Sequence, residues 1–318
     1  MMDSFRRLMS GILDYAGMFP PASLTVSRAM EQYAGYRSGQ DAWMLNSFVV
    51  DIARLEELPP LIARLKPRMN GRLELSVVGS FGHTEDQCLE ALEHDMVMLE
   101  RFLHSQGAHV RVKSLELKLP SEPSVPGGRL LEEMYSRAAE LGLNLFLEIT
   151  SPLDDGWTER LPDILDKIAG QNTAARMPAG MKMRTGGTVS EAFPGSRQVA
   201  EMLTGCRDRR IPLKFTAGLH HPVRMFRTEV QGMMHGFLNM FAGGMMAHHH
   251  GLQPEEVADI LEDSDPGHFR FSDQGMSWRH LTVPAEEVTR LRGCFLRSFG
   301  SCSFDEPRDD LRQLGWLP

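Results

Sequence analysis

The sequence has few cysteines and no long apolar run. Its four cysteines, Cys88, Cys206, Cys294 and Cys302, are scattered without a Cys-x-x-Cys pair, which argues against a zinc knuckle and against a disulfide framework. No apolar stretch approaches the roughly 20 residues that cross a bilayer, and the first residues lack the pattern of a signal peptide. We therefore expect a cytoplasmic protein that does not enter a membrane.

Basic charge is also scarce. The formal net charge is −8, whereas nucleic acid is bound through a basic surface that neutralises phosphates. A Gly-x-Gly-x-x-Gly dinucleotide fingerprint after a first strand is missing as well. We expect a small-molecule substrate and no nucleic-acid partner. The stretch 232–246, rich in Met and Gly, suggests close helix packing, either in the core or across the interface of a homo-oligomer, and we expect a homo-oligomer.

Short β-forming runs alternate with longer amphipathic stretches along the chain, which is typical of βα units with a parallel sheet. The predicted strands are 11–18, 43–50, 73–79, 112–119, 144–150, 180–185, 212–217 and 268–272. The predicted helices are 25–38, 52–66, 84–105, 128–141, 159–170, 195–207, 231–247 and 284–298. Eight such pairs predict an α/β fold, a (β/α)8 TIM barrel over 1–298 with a short C-terminal extension. The alternative is an open doubly wound sheet. The tail, 299–318, is expected to pack on the barrel or on a neighbouring subunit.

Several predicted strands carry polar residues at positions that alternation places on the inner face. They are Glu116 and Lys118 on the fourth strand, Glu148 on the fifth, Lys182 and Arg184 on the sixth, and Lys214 and Thr216 on the seventh. Burying such charges is costly unless they pair or take part in chemistry. Because barrel active sites lie where these strands end, we favour chemistry over a structural ion-pair network.

The two lysines are the strongest indication of function. An amine close to a second cation loses affinity for its proton, and such a lysine attacks carbonyl groups at neutral pH. We therefore expect Lys182 to attack and Lys214 to lower its proton affinity.

Segments of these strands resemble those of deoxyribose-phosphate aldolases. Lys-Met-Arg-Thr-Gly at 182–186 resembles the Lys-x-x-Thr-Gly motif of that family, whose lysine forms a Schiff base. The segment at 214–218 resembles its Lys-x-x-Gly-Gly segment, and the two lysines lie 32 residues apart. Glu148 stands in a Leu-Glu-Ile-Thr that resembles the fifth-strand Leu-Glu-Thr, and Glu116 stands where the family has an acidic proton-relay residue. This resemblance spans about 112–220 and implies class I aldolase chemistry. The segments 14–21 and 301–307 also resemble those of a group of bacterial hypothetical proteins. That resemblance gives no indication of which activity to expect.

The leading hypothesis is an aldolase-like lyase that forms an iminium with a small carbonyl substrate, a sugar or a keto acid, and needs no cofactor. The predicted catalytic residues are Lys182, Lys214, Glu116 and Glu148. The predicted substrate-binding residues are Arg184, Thr185, Thr216, Lys118 and one of His220 and His221, since adjacent histidines on an extended segment point apart.

Two alternatives stay open. The first is a lyase, isomerase or hydrolase that uses a divalent metal such as Zn or Mn, held by Glu116, Glu148 and His220 or His221. The second is a binding protein without enzymatic activity, in which the inner charges only pair with one another.

Other polar segments have simpler explanations. His235 and Asn239 share a helical face and form a cap or core polar pair, and His248 to His250 end a helix. Ser272 and the Gln-Gly that follows at 274–275 lie where barrels commonly bind phosphate.

Overall fold

The computed structural model describes residues 2–68, 71–122, 125–150, 153–154 and 156–318. The segment 120–127 is rich in Pro, Ser and Gly, which predicts an irregular loop, and its residues 123 and 124 lie outside the described residues. The helices are α1 Asp3–Met9, α2 Val26–Arg37, α3 Leu58–Leu65, α4 Glu85–Gln106, α5 Gly128–Glu140, α6 Trp157–Ala174, α7 Ser196–Asp208, α8 Phe237–His250, α9 Pro254–Glu262, α10 Ala285–Cys294 and α11 Asp305–Gln313. The strands are β1 Leu13–Tyr15, β2 Leu45–Asp51, β3 Leu73–Val78, β4 Val110–Lys118, β5 Asn144–Glu148, β6 Gly180–Arg184, β7 Leu213–Thr216, β8 Met225–Arg227, β9 Gly232–Met234, β10 Phe269–Phe271, β11 Gly275–Trp278, β12 Leu281–Pro284 and β13 Leu296–Ser301.

Eight strands form a closed parallel barrel in the order β1-β13-β7-β6-β5-β4-β3-β2. The predicted (β/α)8 class is confirmed. The first seven predicted strands coincide with β1 to β7, and the Thr84 capping box is present at the start of α4.

The prediction of the eighth strand is wrong. The run at 268–272 contains β10, which belongs to an antiparallel sheet of order β10-β11-β12 outside the barrel. The eighth barrel strand is β13, which pairs in parallel with β7. The predicted domain boundary at 298 therefore falls inside a barrel strand. The predicted phosphate site at Ser272 and 274–275 loses its basis, because these residues follow no barrel strand.

The chain divides into two compact units. We call Asp14–Lys182 the N-terminal unit, and Met1–Leu13 with Met183–Pro318 the C-terminal unit. The core of the N-terminal unit contains an aromatic cluster in which Tyr33 lies 6.2 Å from Tyr15 and 5.4 Å from Phe48 between ring centroids. Such rings remove large apolar areas from water and anchor α2 on the strands.

In the C-terminal unit, α8 is buried along its length, from Phe237 to Ala247. Its glycines allow neighbours to approach closely, since a Cβ at Gly244 would lie 2.9 Å from side-chain atoms of Leu203 and Leu296. This burial confirms close packing of α8 within its own unit, whereas Met233 of the same stretch is 37% exposed. The predicted oligomer interface stays a prediction. Among the described residues, no helix combines the length and apolarity that crossing a membrane would need.

Candidate active site in the N-terminal unit

Strand register brings three charged side chains of the N-terminal unit together. On neighbouring parallel strands, Glu148 of β5 pairs with Lys182 of β6, and Lys118 of β4 pairs with Glu148. Glu116, two residues before Lys118, points to the same face as Glu148 because side chains alternate along a strand. Both carboxylates thus point to the face of the sheet on which Lys182 lies.

The three side chains form a buried ion-pair triad, which we call the lysine triad: Lys182, Glu116 and Glu148. Lys182 Nζ lies 2.9 Å from Glu116 Oε2 and 2.6 Å from Glu148 Oε2. All three residues are at most 5% exposed. Both distances are those of charge-assisted hydrogen bonds, so one ammonium group is shared between two carboxylates.

The triad continues into two buried serines on β3 and β4. The Ser76 hydroxyl donates to Glu116 Oε1, and the Oγ atoms of Ser76 and Ser114 lie 2.6 Å apart. The register of β3 and β4 shifts between Leu75 and Ser76, so that Ser76 stands opposite Ser114. A bulge of this kind re-aims side chains locally, and here it lines up two hydroxyl groups behind one carboxylate.

The electrostatics of Lys182 differ from the sequence-based expectation. Burial by itself lowers the pKa of Lys182, but the charges and hydrogen bonds of Glu116 and Glu148 outweigh burial and raise this pKa above its ordinary value. This direction is opposite to the predicted lowering of its proton affinity, and the effect expected of Lys214 stays a prediction. With a raised pKa, Lys182 carries its proton at neutral pH and would need a base in order to act as a nucleophile.

The triad supplies that base itself. Two carboxylates with one ammonium carry a net negative charge, so a proton that leaves Lys182 has two acceptors within hydrogen-bond distance. A carbonyl compound bound over Nζ would meet both a nucleophile and an acid-base group.

Lys118 and Asp14 lie elsewhere in the unit. Lys118 is half-buried, and its Nζ lies 5.5 Å from the centre of the Phe81 ring, a cation–π contact. Asp14 is fully buried and accepts a hydrogen bond of 2.7 Å from the side chain of Asn46. Asp14 therefore holds β1 to β2.

The C-terminal unit holds the other predicted residues. Lys214 of β7 is 2% exposed. Thr185 is fully buried, and its hydroxyl donates to the carbonyl groups of Thr216, at 3.2 Å, and Ala217, at 2.5 Å. Its donor is engaged in joining the ends of β6 and β7, a structural duty. The predicted roles of Lys214 and of Thr216 in chemistry and binding stay predictions.

Two glycines after these strands approach each other closely. A Cβ at Gly218, whose φ is +73°, would lie 2.8 Å from the Cα of Gly186. The glycines in both motif segments thus allow two backbone turns to touch. Arg184 is exposed, with its guanidinium 3.5 Å from the carbonyl oxygen of Gly186.

Both histidines that follow β7 bind the C-terminal helix α11. His220 Nδ1 lies 2.9 Å from Glu306 Oε2, and His221 Nδ1 lies 2.6 Å from Asp310 Oδ2. The expectation that adjacent histidines point apart is wrong, because the turn at Ala217 and Gly218, both at positive φ, ends the extended backbone. The tail thus packs on its own chain.

The remaining histidines have structural positions. His235 precedes α8 and bonds the carbonyl oxygen of Pro194 at 2.7 Å, and burial lowers the pKa of His235. Asn239 donates to the carbonyl groups of Ile260 and Asp263 at the end of α9. The prediction that both share a helical face is wrong, because α8 starts at Phe237; the structural explanation of Asn239 as a cap is confirmed. His248 to His250 end α8 before Gly251, as predicted.

Within the described part of the chain, no group of three His, Cys, Asp or Glu side chains is arranged to hold a metal ion. The two carboxylates on which the metal hypothesis depends, Glu116 and Glu148, contact Lys182. That hypothesis stays a prediction, which metal analysis of the purified protein tests.

Sequence reasoning did not identify Ser76 and Ser114. A weak signal was present: each serine interrupts an apolar strand at a position that alternation places on the same face as Glu74 or Glu116. A serine in a strand does not by itself indicate a functional site. The contact between Ser76 and Glu116 depends on the shifted register between β3 and β4.

Comparison with known proteins gives a likeness of fold. Deoxyribose phosphate aldolase from Aeropyrum pernix, which is described as having a unique tetrameric structure, superposes with a TM-score of 0.52 over 98% of this chain and 96% of that chain, at 11% sequence identity. At this identity the likeness shows a shared fold, and a fold hosts many unrelated functions.

Other solved structures are less similar. A monomeric dihydrodipicolinate synthase variant gives a TM-score of 0.36 at 12% identity, with all of both chains covered. Rhizobium etli pyruvate carboxylase gives 0.43 at 10% identity, over 99% of this chain and 29% of that chain. No protein-family model and no curated protein sequence matches the chain.

Proposed function

We propose that the protein is a lyase of class I aldolase type, in which Lys182 forms an iminium with the carbonyl group of a small substrate. The observation that carries this proposal is the burial of Lys182 Nζ within 2.9 Å of Glu116 and 2.6 Å of Glu148. A nucleophile with adjacent acid-base groups is what iminium formation requires.

Three further facts support the proposal. The barrel strand β6 carries Lys182 within a segment that resembles the Schiff-base motif of deoxyribose-phosphate aldolases. The fold is shared with one such aldolase, that of Aeropyrum pernix. Barrel enzymes act at the carboxyl ends of their strands, and Glu148 is the last residue of β5.

The chemistry begins with a proton transfer. The ammonium group of Lys182 gives a proton to a carboxylate of the triad, and the amine then attacks the carbonyl carbon. Loss of water gives an iminium, whose positive charge replaces that of the ammonium. The triad therefore keeps the same net charge throughout, which avoids an uncompensated charge in a buried site. The iminium then acts as an electron sink for carbon–carbon bond cleavage or formation.

Other predicted groups enter as further proposals. Lys214, Arg184, Thr216 and Lys118 remain candidates for modulating Lys182 or binding the substrate. A homo-oligomer also stays a proposal, which sedimentation analysis tests.

The test is reductive trapping. The protein is incubated with borohydride and a panel of small aldehydes, ketones and keto acids, and intact mass and peptide mapping follow. We expect an adduct on Lys182 that is absent from Lys182→Met and from Lys182→Arg, the second of which keeps the positive charge. Lys113→Arg changes another lysine of the same unit, 3.3 Å from Glu74, and is the matched control that keeps the adduct.

A structural ion-pair network is the competing explanation of the triad. It predicts that Lys182→Met lowers stability while the wild type forms no adduct with any member of the panel. That result would reject the iminium proposal.

A further inference from the structure

The side chain of Glu116 has polar contacts beyond the lysine triad. Glu116 is backed by the hydroxyl groups of Ser76, which is fully buried, and Ser114, which is 7% exposed. Ser76 has one hydroxyl proton and donates it to Glu116 Oε1. In the 2.6 Å contact between the two serines, Ser114 is consequently the donor.

The hydroxyl protons of Ser114 and Ser76 thus both point along the chain of hydrogen bonds that ends at Glu116. Oε1 receives the Ser76 hydroxyl, and Oε2 receives the ammonium group of Lys182 at 2.9 Å. A proton on Oε1 would share that oxygen with the hydroxyl that Ser76 already donates. Hydrogen bonds donated to a carboxylate favour its charged form, and a donor that is itself polarised by a second donor does so more strongly.

We propose that Ser76, polarised by Ser114, is a positioning residue that keeps Glu116 ionised, so that Glu148 carries the protons of the reaction. The inference rests on the proposed function and assigns separate duties to two carboxylates that the triad alone leaves equivalent. Glu148 Oε2 is also the oxygen closer to Lys182 Nζ, at 2.6 Å.

The proton balance under this assignment is complete. Lys182 passes one ammonium proton to Glu148 and forms a bond from Nζ to the carbonyl carbon, while the carbonyl oxygen takes that proton from Glu148. A second proton follows the same route from Nζ to the new hydroxyl group, which leaves as water when the nitrogen electron pair forms the C=N bond. Ammonium and carbonyl thus give iminium and water. Glu116 remains negative beside the positive iminium.

The experiment measures the rate of adduct formation with hydroxyacetone and cyanoborohydride across the acid and neutral pH range. Each variant is expressed as a ratio to wild type at the same pH, which cancels the pH dependence of the reagent. The variants are Ser76→Ala, Ser114→Ala, Glu116→Gln and the Ser76→Ala/Glu116→Gln double variant. Ser47→Ala is the matched control, because Ser47 is equally buried on β2 and its hydroxyl has no partner in the described residues.

We expect Ser76→Ala to slow adduct formation by about tenfold near neutral pH, the effect of losing one hydrogen bond to a charged group. The fall of its adduct-formation rate toward acid pH should begin at a higher pH than in the wild type, since a carboxylate with fewer hydrogen-bond donors binds a proton more readily. Ser114→Ala should shift in the same direction by less, and it carries the test should Ser76→Ala fail to fold. Ser76→Ala should add nothing in the Glu116→Gln background.

A uniform loss of rate at every pH in Ser76→Ala, or losses that multiply in the double variant, would overturn the assignment. In both cases the wild type still forms its adduct, so the proposed function would stand. Absence of any wild-type adduct rejects the proposed function instead, and the assignment with it.

Discussion

At the scale of single residues, the central feature is a positive charge that balances two buried negative ones. Lys182 is 5% exposed, and Glu116 and Glu148 are 2% and 4% exposed. Removing one partner of a buried ion pair leaves an uncompensated charge, whose cost is larger than the net contribution of the intact pair. The lysine therefore affects stability whether or not it reacts.

We predict that Lys182→Met lowers the free energy of unfolding by about 3–5 kcal/mol at neutral pH, because two carboxylates are then buried together. Adding Glu116→Gln and Glu148→Gln should recover most of this loss. Denaturant unfolding of wild type, of Lys182→Met and of the triple variant measures it. Equal stability of wild type and Lys182→Met would contradict the buried triad.

The same variant has a defined pH dependence. The pKa of Lys182 is raised in the folded chain. The contribution of its ion pairs to the free energy of unfolding is therefore complete below pH 10.5, the ordinary lysine pKa, and declines as the pH rises through the raised pKa. The stability difference between wild type and Lys182→Met should therefore persist through neutral and mildly alkaline pH. It should shrink in acid, where the carboxylates of the variant take up protons.

Alternation along strands was sufficient to predict that Glu116, Glu148 and Lys182 face the same way. The direction of the Lys182 pKa was not predictable, because it depends on which charges come within 3 Å of Nζ. Ser76 was missed for a related reason: a one-residue register shift decides whether a serine meets a carboxylate.

At the scale of elements, helix α11 is held to the turn after β7 by two histidine–carboxylate pairs. The hydrogen bond from His220 is the main cause that lowers the pKa of Glu306, against a smaller opposing effect of burial. A carboxylate with a lowered pKa stabilises the fold above its ordinary pKa and loses this effect as the pH falls through the lowered value.

We predict that Glu306→Gln loosens α11 at neutral pH and that the difference from wild type vanishes in acid. The effect should be small, because the Glu306 side chain is 50% exposed and solvent screens the pair. Hydrogen exchange of the α11 amides at both pH values measures it. Asp309→Asn on the same helix is the control. An equal difference at both pH values would show that the His220 pair does not hold the helix.

The elements also show where a periodic pattern misleads. The stretch 284–298 has helical character throughout, yet α10 ends at Cys294 and the barrel strand β13 begins at Leu296. The Phe-Arg-Phe of β10 alternates as a barrel strand does, but its partner is β11. Alternation identifies a strand, whereas its partner is chosen by long-range packing that a single sequence does not reveal.

At the scale of the whole molecule, the last strand completes the barrel. Backbone hydrogen bonds join this segment to both neighbours: Phe299 N of β13 donates to the Ile12 carbonyl at 2.8 Å, and Leu213 N of β7 donates at 2.7 Å to the carbonyl of Phe295, the residue before β13. A chain without β13 would expose two strand edges, which favours aggregation.

We predict that a chain ending at residue 298 is insoluble or unfolded. A chain ending at residue 303 keeps β13 and loses α11, and should fold with reduced thermal stability. Soluble yield and circular dichroism distinguish the two. Cooperative unfolding of the shorter chain would contradict the assignment of β13 as the closing strand.

The proposed lyase function and the roles of the lysine triad both depend on whether Lys182 reacts with a carbonyl compound. The most direct measurement is peptide mapping after borohydride trapping of wild type, Lys182→Met, Lys182→Arg and the Lys113→Arg control with small aldehydes, ketones and keto acids. We expect a reduced adduct on Lys182 in the wild type and the control, and none in either Lys182 variant. An adduct that maps to another lysine, or no adduct at all in folded wild-type protein, would contradict it.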